Sequence, residues 1–430
     1  MAPSHFDVIE HTVVSSYVRE YPLATTKGQE DKLQLHVKQY VPRQRPEATT
    51  PNIAQALPAV TIIACGALGP PKEIYEPLWE ELHGQLQAQG MAISSIWIAD
   101  PVHQGLSSVL NAGRIGDDPS WIDHSRDLFL IVNQFRDQMP RPLVGIGHSF
   151  GAIHLANLAF FHPRLLSSVV FLDPFITKHH PQSFREHPVF HKYVVNRPSS
   201  WPSRAAAEAS IPKSPLYSGW DPRCLQRLLK HGLVPVPTRE PPTVDSPVTL
   251  TTPVAQEIHA MGRRTFSQTP PDGTPTFDRD TTPDLDPLDA EDVLYRWEMR
   301  STWDRLPELR PPAKFVLASR TYVLLDEVRE GIQRCGTARS GSGGVTSGRV
   351  SEVTIKGAGH FFPMELVERA ARECASWIAP EMLKWRQAEV GWREELDRRA
   401  KNGEQVGAEI SPWMKDILRS FAAKIPRAKI

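Results

Sequence analysis

Residues 144–160 read VGIGHSFGAIHLANLAF, a run with no Lys, Arg, Asp or Glu in which Gly147-His148-Ser149-Phe150-Gly151 separates two apolar halves. The first half, with Leu143, is short enough for a buried strand, and the second has the length and composition of a buried helix. A serine on the tight turn between them has a strained backbone that lifts its Oγ above the edge of a sheet. Gly147 and Gly151 remove side chains that would collide there, and the helix N-terminus adds partial positive charge. Ser149 therefore reads as a nucleophile.

Outward from this turn, short apolar runs recur at 33–41 (LQLHVKQYV), 59–65 (AVTIIAC), 91–99 (MAISSIWIA), 143–148 and 167–173 (SSVVFLD). Helix-like stretches at 72–90 and 121–139 lie between them, with apolar residues spaced at three and four. That alternation predicts an α/β fold: a mostly parallel central sheet with helices on both faces. The pattern stops after Asp173. Residues 181–290 hold 18 of the chain's 40 prolines, so this stretch cannot supply regular core strands and reads as an inserted cap. Its expected elements are helices at 201–211 and 222–232 and an extended piece at 246–253.

Sheet-like sequence resumes at 313–319 (AKFVLAS) and 350–357 (VSEVTIKG), around the run GTARSGSGGVTSG (336–348), which its composition marks as a mobile surface loop. A helix at 366–385 and a polar tail with helical spacing at 413–421 follow. The expected domains are an α/β core of residues 1–175 and 301–385, a proline-rich lid of 176–300, and a helical extension of 386–430 that docks on the core or on a second subunit.

A serine hydroxyl is a weak nucleophile at neutral pH and needs an imidazole to take its proton. Of 16 histidines, His360 is the one that follows a final strand, in VTIKGAGHFF, on a loop given reach by Gly357 and Gly359. His148 and His154 read as packing around the turn. For the acid, Asp173 in FLDPF stands at the C-terminal edge of its strand, where Ser149 also lies. Asp326, beyond the next strand, is the reserve, because the turn Ser319-Arg320-Thr321-Tyr322 carries no carboxylate. The oxyanion of an acyl-transfer intermediate needs two donors. The N–H of Phe150 follows from the turn itself; the second is the N–H of Ala67 or Leu68 in the loop CGALGPPKE (65–73).

Other patterns exclude functions. Lys plus Arg and Asp plus Glu both count 49, which leaves no overall basic excess for nucleic acid or an anionic bilayer. The four cysteines, Cys65, Cys224, Cys335 and Cys374, form no C-x-x-C pair, so neither a zinc site nor a disulfide framework is expected and a reducing compartment fits. With no phosphate-binding or dinucleotide fingerprint, no cofactor is expected. The acidic run Asp278, Asp280, Asp284, Asp286 matches no metal loop and reads as a solvated lid segment; Asp100 and His103 read as scaffold. There is no signal-peptide-like start and no apolar stretch long enough for a membrane span. The final residues Ala428-Lys429-Ile430 have the small, basic, aliphatic order that a peroxisomal import receptor reads.

GHSFG, LDPF and GAGH, in that order with sheet segments between them, resemble the α/β-hydrolase superfamily. HVKQYVP, KEIYEPLWEEL, HSRDLFLIVNQFRDQMPRPLVGIGHSFG, GWDPRCLQRLLKHG and VTLTTP resemble more narrowly the fungal peroxisomal acyl-CoA hydrolases of mycophenolic acid biosynthesis and the related hydrolases of host-selective-toxin pathways. The resemblance implies a peroxisomal serine thioesterase of secondary metabolism that cleaves an acyl-CoA with Ser149, Asp173 and His360, and it admits a homodimer. The chain departs from the family where Cys65-Gly66 stands in place of the common His-Gly. Two alternatives remain open at this level: a carboxylester hydrolase or lipase with the same triad, and a hydrolase-fold protein that binds a small ligand without turnover.

Overall fold

The structure is a computed structural model; it describes residues 5–43, 59–179, 189–237, 241–264, 280, 282–285, 294–402 and 410–422. The chain forms two compact units, Met1–Glu381 and Met382–Ile430. In the first, β1 (Phe6–Val14), β2 (Gln34–Pro42), β3 (Val60–Cys65), β4 (Ile93–Ala99), β5 (Leu143–His148) and β6 (Leu166–Leu172) precede the proline-rich segment. The eight-stranded sheet is completed by β12 (Ala313–Arg320) and β13 (Val350–Gly359), in the order β1-β2-β4-β3-β5-β6-β12-β13. Strands from β4 to β13 pair in parallel, whereas β1 and β2 are antiparallel to their neighbours.

Every residue of β3 and β5 is buried, as expected of strands covered on both faces. The covering helices include α1 (Glu76–Ala88), the short α2 (Gly105–Leu110), α3 (Trp121–Gln134) and α4 (Phe150–Phe161). Helix α3 starts where the Ser120 hydroxyl accepts the Ile122 N–H. Helix α4 has no polar stripe: its first ten residues are all buried, which places it in the centre of the fold. The apolar runs of the sequence thus mark their strands to within two residues. Strand β1 is the exception. It is an edge strand with most of its residues solvated, so FDVIEHTVV carries no apolar run to reveal it.

Between β6 and β12 the described residues form short elements: α5 (Val189–Asn196), β7 (Ser200–Trp201), α6 (Arg204–Ser210), α7 (Pro222–His231), β8 (Leu233–Pro235), β9 (Val248–Leu250), α8 (Val254–Met261), β10 (Arg263–Arg264), β11 (Leu294–Tyr295) and α9 (Trp297–Arg305). Strands β7, β9 and β8 make a small antiparallel sheet. Proline is used at helix starts, as in α7, where Pro222 follows the N-cap Asp221, whose carboxylate accepts the Arg223 N–H. Asp284 corrects the reading of the acidic run as a solvated segment: its carboxylate accepts hydrogen bonds from Arg263, Tyr295 and Tyr21. Asp280 is described as well, while Asp278 and Asp286 lie outside the described residues, as do Ala428, Lys429 and Ile430.

The run 336–348 follows α10 (Leu325–Arg334) and is not the loosely held loop its composition suggests. Gly336, Ala338 and Ser342 donate their N–H groups to the carbonyls of Leu306, Pro307 and Leu309, so the loop is laced to the turn after α9. After β13 come α11 (Phe362–Glu365) and α12 (Val367–Lys401), which extends well beyond the predicted 385 and contains the division between the two units. The second unit also holds α13 (Pro412–Ala422). No helix among the described residues is long and apolar enough to cross a membrane.

What positions the functional turn is the reversal of strand order at β3 and β5. The chain leaves β3 toward β4 and returns on the other side as β5, so the loops after β3 and β5 lie side by side at the sheet's C-terminal edge. Helix α4 then approaches so closely that a Cβ on Gly151 would lie 2.3 Å from the Cys65 carbonyl oxygen. Backbone on backbone cannot yield, so Gly151→Ala should lose about 1–3 kcal/mol in a denaturant titration. Gly84, exposed in α1, is the control, because a Cβ added there would meet nothing within 4 Å: Gly84→Ala should gain about 0.4–1 kcal/mol.

Candidate active site

Ser149 leaves β5 with φ 56° and ψ −119°, a conformation that costs an L-residue energy and has to be held by its surroundings. Three backbone bonds hold it. Its N–H donates to the Leu172 carbonyl, and its own carbonyl accepts the N–H groups of Ala152 and Phe175. Asp173, just past β6, is the other non-glycine residue with positive φ, 41°, among those described. Both departures occur where a strand ends and a side chain is turned out over the sheet edge.

The structure brings Ser149, His360 and Asp173 into one hydrogen-bonded line. His360 Nε2 lies 2.8 Å from Ser149 Oγ, and Nδ1 lies 2.6 Å from Asp173 Oδ2. All three side chains are buried. Asp173 accepts two further bonds: Oδ1 from the Ala318 N–H at 2.8 Å and Oδ2 from the Thr321 hydroxyl at 2.6 Å. With the Ala318 N–H and the Thr321 hydroxyl donating to it, the carboxylate is placed to accept from His360 Nδ1, which leaves Nε2 for the serine hydroxyl. Tyr322, with its ring centroid 4.5 Å from that of His360, and Phe361 at 5.2 Å wall the imidazole.

Thr321 gives no sign of this role in the sequence, where its turn matters only for lacking a carboxylate. Its function there is to serve the carboxylate of the neighbouring strand, which β12 allows by pairing with β6. The reserve acid Asp326 is excluded by position: it is fully exposed at the start of α10, 3.9 Å from Arg329.

In the loop after β3 the Ala67 N–H, one of the expected oxyanion donors, already donates to the Tyr75 phenol at 2.7 Å. Among the described residues no protein acceptor meets the N–H of Leu68 or of Phe150, which leaves these two as the candidate donors. His148, read as packing, is instead bonded at both ring nitrogens, to Tyr75 and to the His360 carbonyl. His154 does pack: its ring meets Phe150 edge-on at 4.2 Å. Asp100 is scaffold as expected, accepting the Lys72 N–H and, at 2.5 Å, its ammonium.

Beside the loop, the segment between β6 and β12 encloses a cavity lined by Tyr193, Arg197, Trp201, Tyr217, Leu228 and Leu250. A second hollow shares Arg197, Tyr217, Leu228 and Leu250 with it and reaches Gly69, Pro70 and Pro71 of the loop after β3. Arg197 is ion-paired with buried Glu257, and desolvation raises the Glu257 pKa against the pull of the guanidinium. No group of three or more His, Cys, Asp or Glu suited to a metal occurs among the described residues, and the four cysteines are buried and unpaired.

This geometry has relatives. The chain is 43% identical over 414 residues to the type I acyl-CoA thioesterase mpaH′ of Penicillium brevicompactum, covering 92% of this chain and 93% of the relative. It is 41% identical to mpaH of Penicillium roqueforti, covering 92% of each. The abhydrolase domain-containing protein AFT2-1 of Alternaria alternata is 27% identical over 64% of this chain and 98% of its own length. Among solved structures, the peroxisomal α/β-hydrolase Lpx1 of Saccharomyces cerevisiae superposes with a TM-score of 0.65 at 15% identity, covering 98% of both chains. E-2-(acetamidomethylene)succinate hydrolase follows with a TM-score of 0.52 at 12% identity, over 86% of this chain and 99% of that one. No family model matches the chain. On the extent and identity of the Penicillium matches, the chain belongs to the family of the mpaH acyl-CoA thioesterases, and its fold is that of the α/β-hydrolases.

Proposed function

We propose that the protein is a serine thioesterase that hydrolyses an acyl-CoA through an acyl-enzyme on Ser149. The observation that carries this reading is the unbroken line from Ser149 Oγ through His360 to Asp173, with contacts of 2.8 and 2.6 Å. His360 Nε2 takes the serine proton as Oγ attacks the thioester carbonyl. Asp173 stabilises the resulting imidazolium, and the N–H groups of Phe150 and Leu68 receive the oxyanion. The imidazolium then protonates the departing CoA thiolate, and a water molecule, activated by the same imidazole, releases the acid and frees Ser149. The proline-rich segment acts as the lid, and the cavity of Tyr193, Trp201, Tyr217 and Leu228 takes the acyl group. The relatives' name, type I acyl-CoA thioesterase, supports a thioester substrate, and a place in fungal secondary metabolism is proposed on the sequence resemblance alone.

Thiol release from acetyl-, octanoyl- and phenylacetyl-CoA, measured beside hydrolysis of oxygen esters of the same acids, tests the reaction class. The thioesters should be preferred in kcat/KM; activity confined to oxygen esters would reassign the protein as a carboxylester hydrolase. Ser149→Ala should lower kcat at least about 10⁴-fold and abolish labelling by a fluorophosphonate. Thr321→Val removes one of the donors to a carboxylate, a bond of about 1.5–3 kcal/mol, and should lower kcat roughly tenfold or more with KM little changed.

The tripeptide Ala428-Lys429-Ile430 further supports a peroxisomal location. A fluorescent fusion made at the N-terminus should be punctate and co-localise with a peroxisomal marker. Removal of the three residues should leave it in the cytosol, and an unchanged punctate pattern would remove this part of the proposal.

A further inference from the structure

We infer that Tyr75 and His148 are positioning residues, forming a hydrogen-bonded strut that fixes the oxyanion loop relative to the backbone of His360. The inference rests on the reading of Ser149 and His360 as the catalytic pair. Its observations are three contacts in series: Ala67 N to Tyr75 Oη at 2.7 Å, Tyr75 Oη to His148 Nδ1 at 2.7 Å, and His148 Nε2 to the His360 carbonyl oxygen at 2.9 Å.

The chemistry of the ends dictates the direction of the whole chain. A carbonyl can only accept, so His148 carries its proton on Nε2. A neutral imidazole then has Nδ1 free to accept, and the Tyr75 hydroxyl donates to it. The phenol oxygen, having given its proton to His148, accepts the Ala67 N–H. Every donor meets one acceptor, and each group lies where water cannot replace a lost partner: Ala67, Tyr75 and His148 are all buried. Burial, with His360 adjacent, also lowers the His148 pKa well below the ordinary value and keeps the ring neutral.

The strut accounts for two local features of the loop after β3. It turns the Ala67 N–H away from the reacting carbonyl and so hands the second oxyanion donor to Leu68. It also requires glycine at 66, because a Cβ there would come 2.9 Å from Tyr75 Cε2 and push the ring off its partners. The phenol of Tyr75, from the turn after this loop, packs over Gly66. The strut thereby ties together parts that the fold supplies from separate places: the loop after β3, the residue before the nucleophile, and the loop after β13.

The test uses the full chain and p-nitrophenyl butyrate, whose small acyl group probes the chemistry without engaging much of the cavity. Tyr75→Phe strands the Ala67 N–H and His148 Nδ1 together. It should lower kcat about tenfold or more with KM within about twofold, and His148→Leu should do the same. Because both break one chain, Tyr75→Phe/His148→Leu should be no slower than the slower single variant. Wild-type kcat in Tyr75→Phe, or fold losses that multiply in the pair, would overturn the inference. Should a variant melt below the assay temperature, nitrogen-15 spectra of histidine-labelled wild-type protein decide: a neutral His148 protonated on Nε2 is expected at pH 7, and an Nδ1-protonated or charged ring would overturn it. Ser149→Ala with undiminished turnover would sink the catalytic reading itself. Tyr75→Phe at the wild-type rate beside an inactive Ser149→Ala would sink the strut alone.

Discussion

One backbone approach sets the dimensions of the site. Helix α4 comes down on the end of β3 until Gly151 stands against the Cys65 carbonyl, and no side chain fits between them. From that contact follow the register of the turn that carries Ser149, the position of the Phe150 N–H, and the nearness of the loop that contributes Leu68. A second glycine, Gly147, lets the turn close on itself, since a Cβ there would meet the Gly151 carbonyl at 2.8 Å. The strained serine backbone is tolerable because β5, β6 and α4 determine it from three sides, and strain held in this way arrives pre-aimed at the substrate.

The acid arm is built on the same logic in the neighbouring strand. Asp173 adopts positive φ where β6 ends, and its two oxygens are then divided between β12, through Ala318 and Thr321, and the imidazole of His360. The carboxylate therefore holds His360 and at the same time ties the sheet on either side of the segment inserted between β6 and β12. This explains how about 140 residues of irregular sequence can be inserted between β6 and β12 without loosening the triad: the strands that carry its parts are hydrogen-bonded neighbours.

Much of this was legible in the sequence because burial leaves a signature. Strands covered on both faces appear as unbroken apolar runs, and the strand-to-helix turn shows itself by glycines flanking a serine. Asp173 could be named because it closes such a run, and His360 because it follows the last strand on a glycine-containing loop. Features that depend on contacts across the sheet left no local trace. Thr321 is an ordinary turn residue until β12 is paired with β6, and the Ala67 N–H is a free donor until Tyr75 packs over Gly66. Edge strand β1 escaped because solvated strands need no apolar run, and the loop at 336–348 is held by its backbone, to which composition is blind. The Asp284 carboxylate likewise took on meaning only once Arg263, Tyr295 and Tyr21 were gathered around it.

The central claim is that the Ser149 hydroxyl becomes covalently acylated during turnover. Rapid acid quench of the wild-type protein with octanoyl-CoA, followed by digestion and mass measurement of the peptide containing residues 144–160, observes that species directly. The account predicts that peptide carrying one octanoyl group on Ser149, lost on continued incubation before quenching as the acid is released. Steady release of CoA with that peptide unmodified at every quench time, or with the acyl group on another residue, would contradict it.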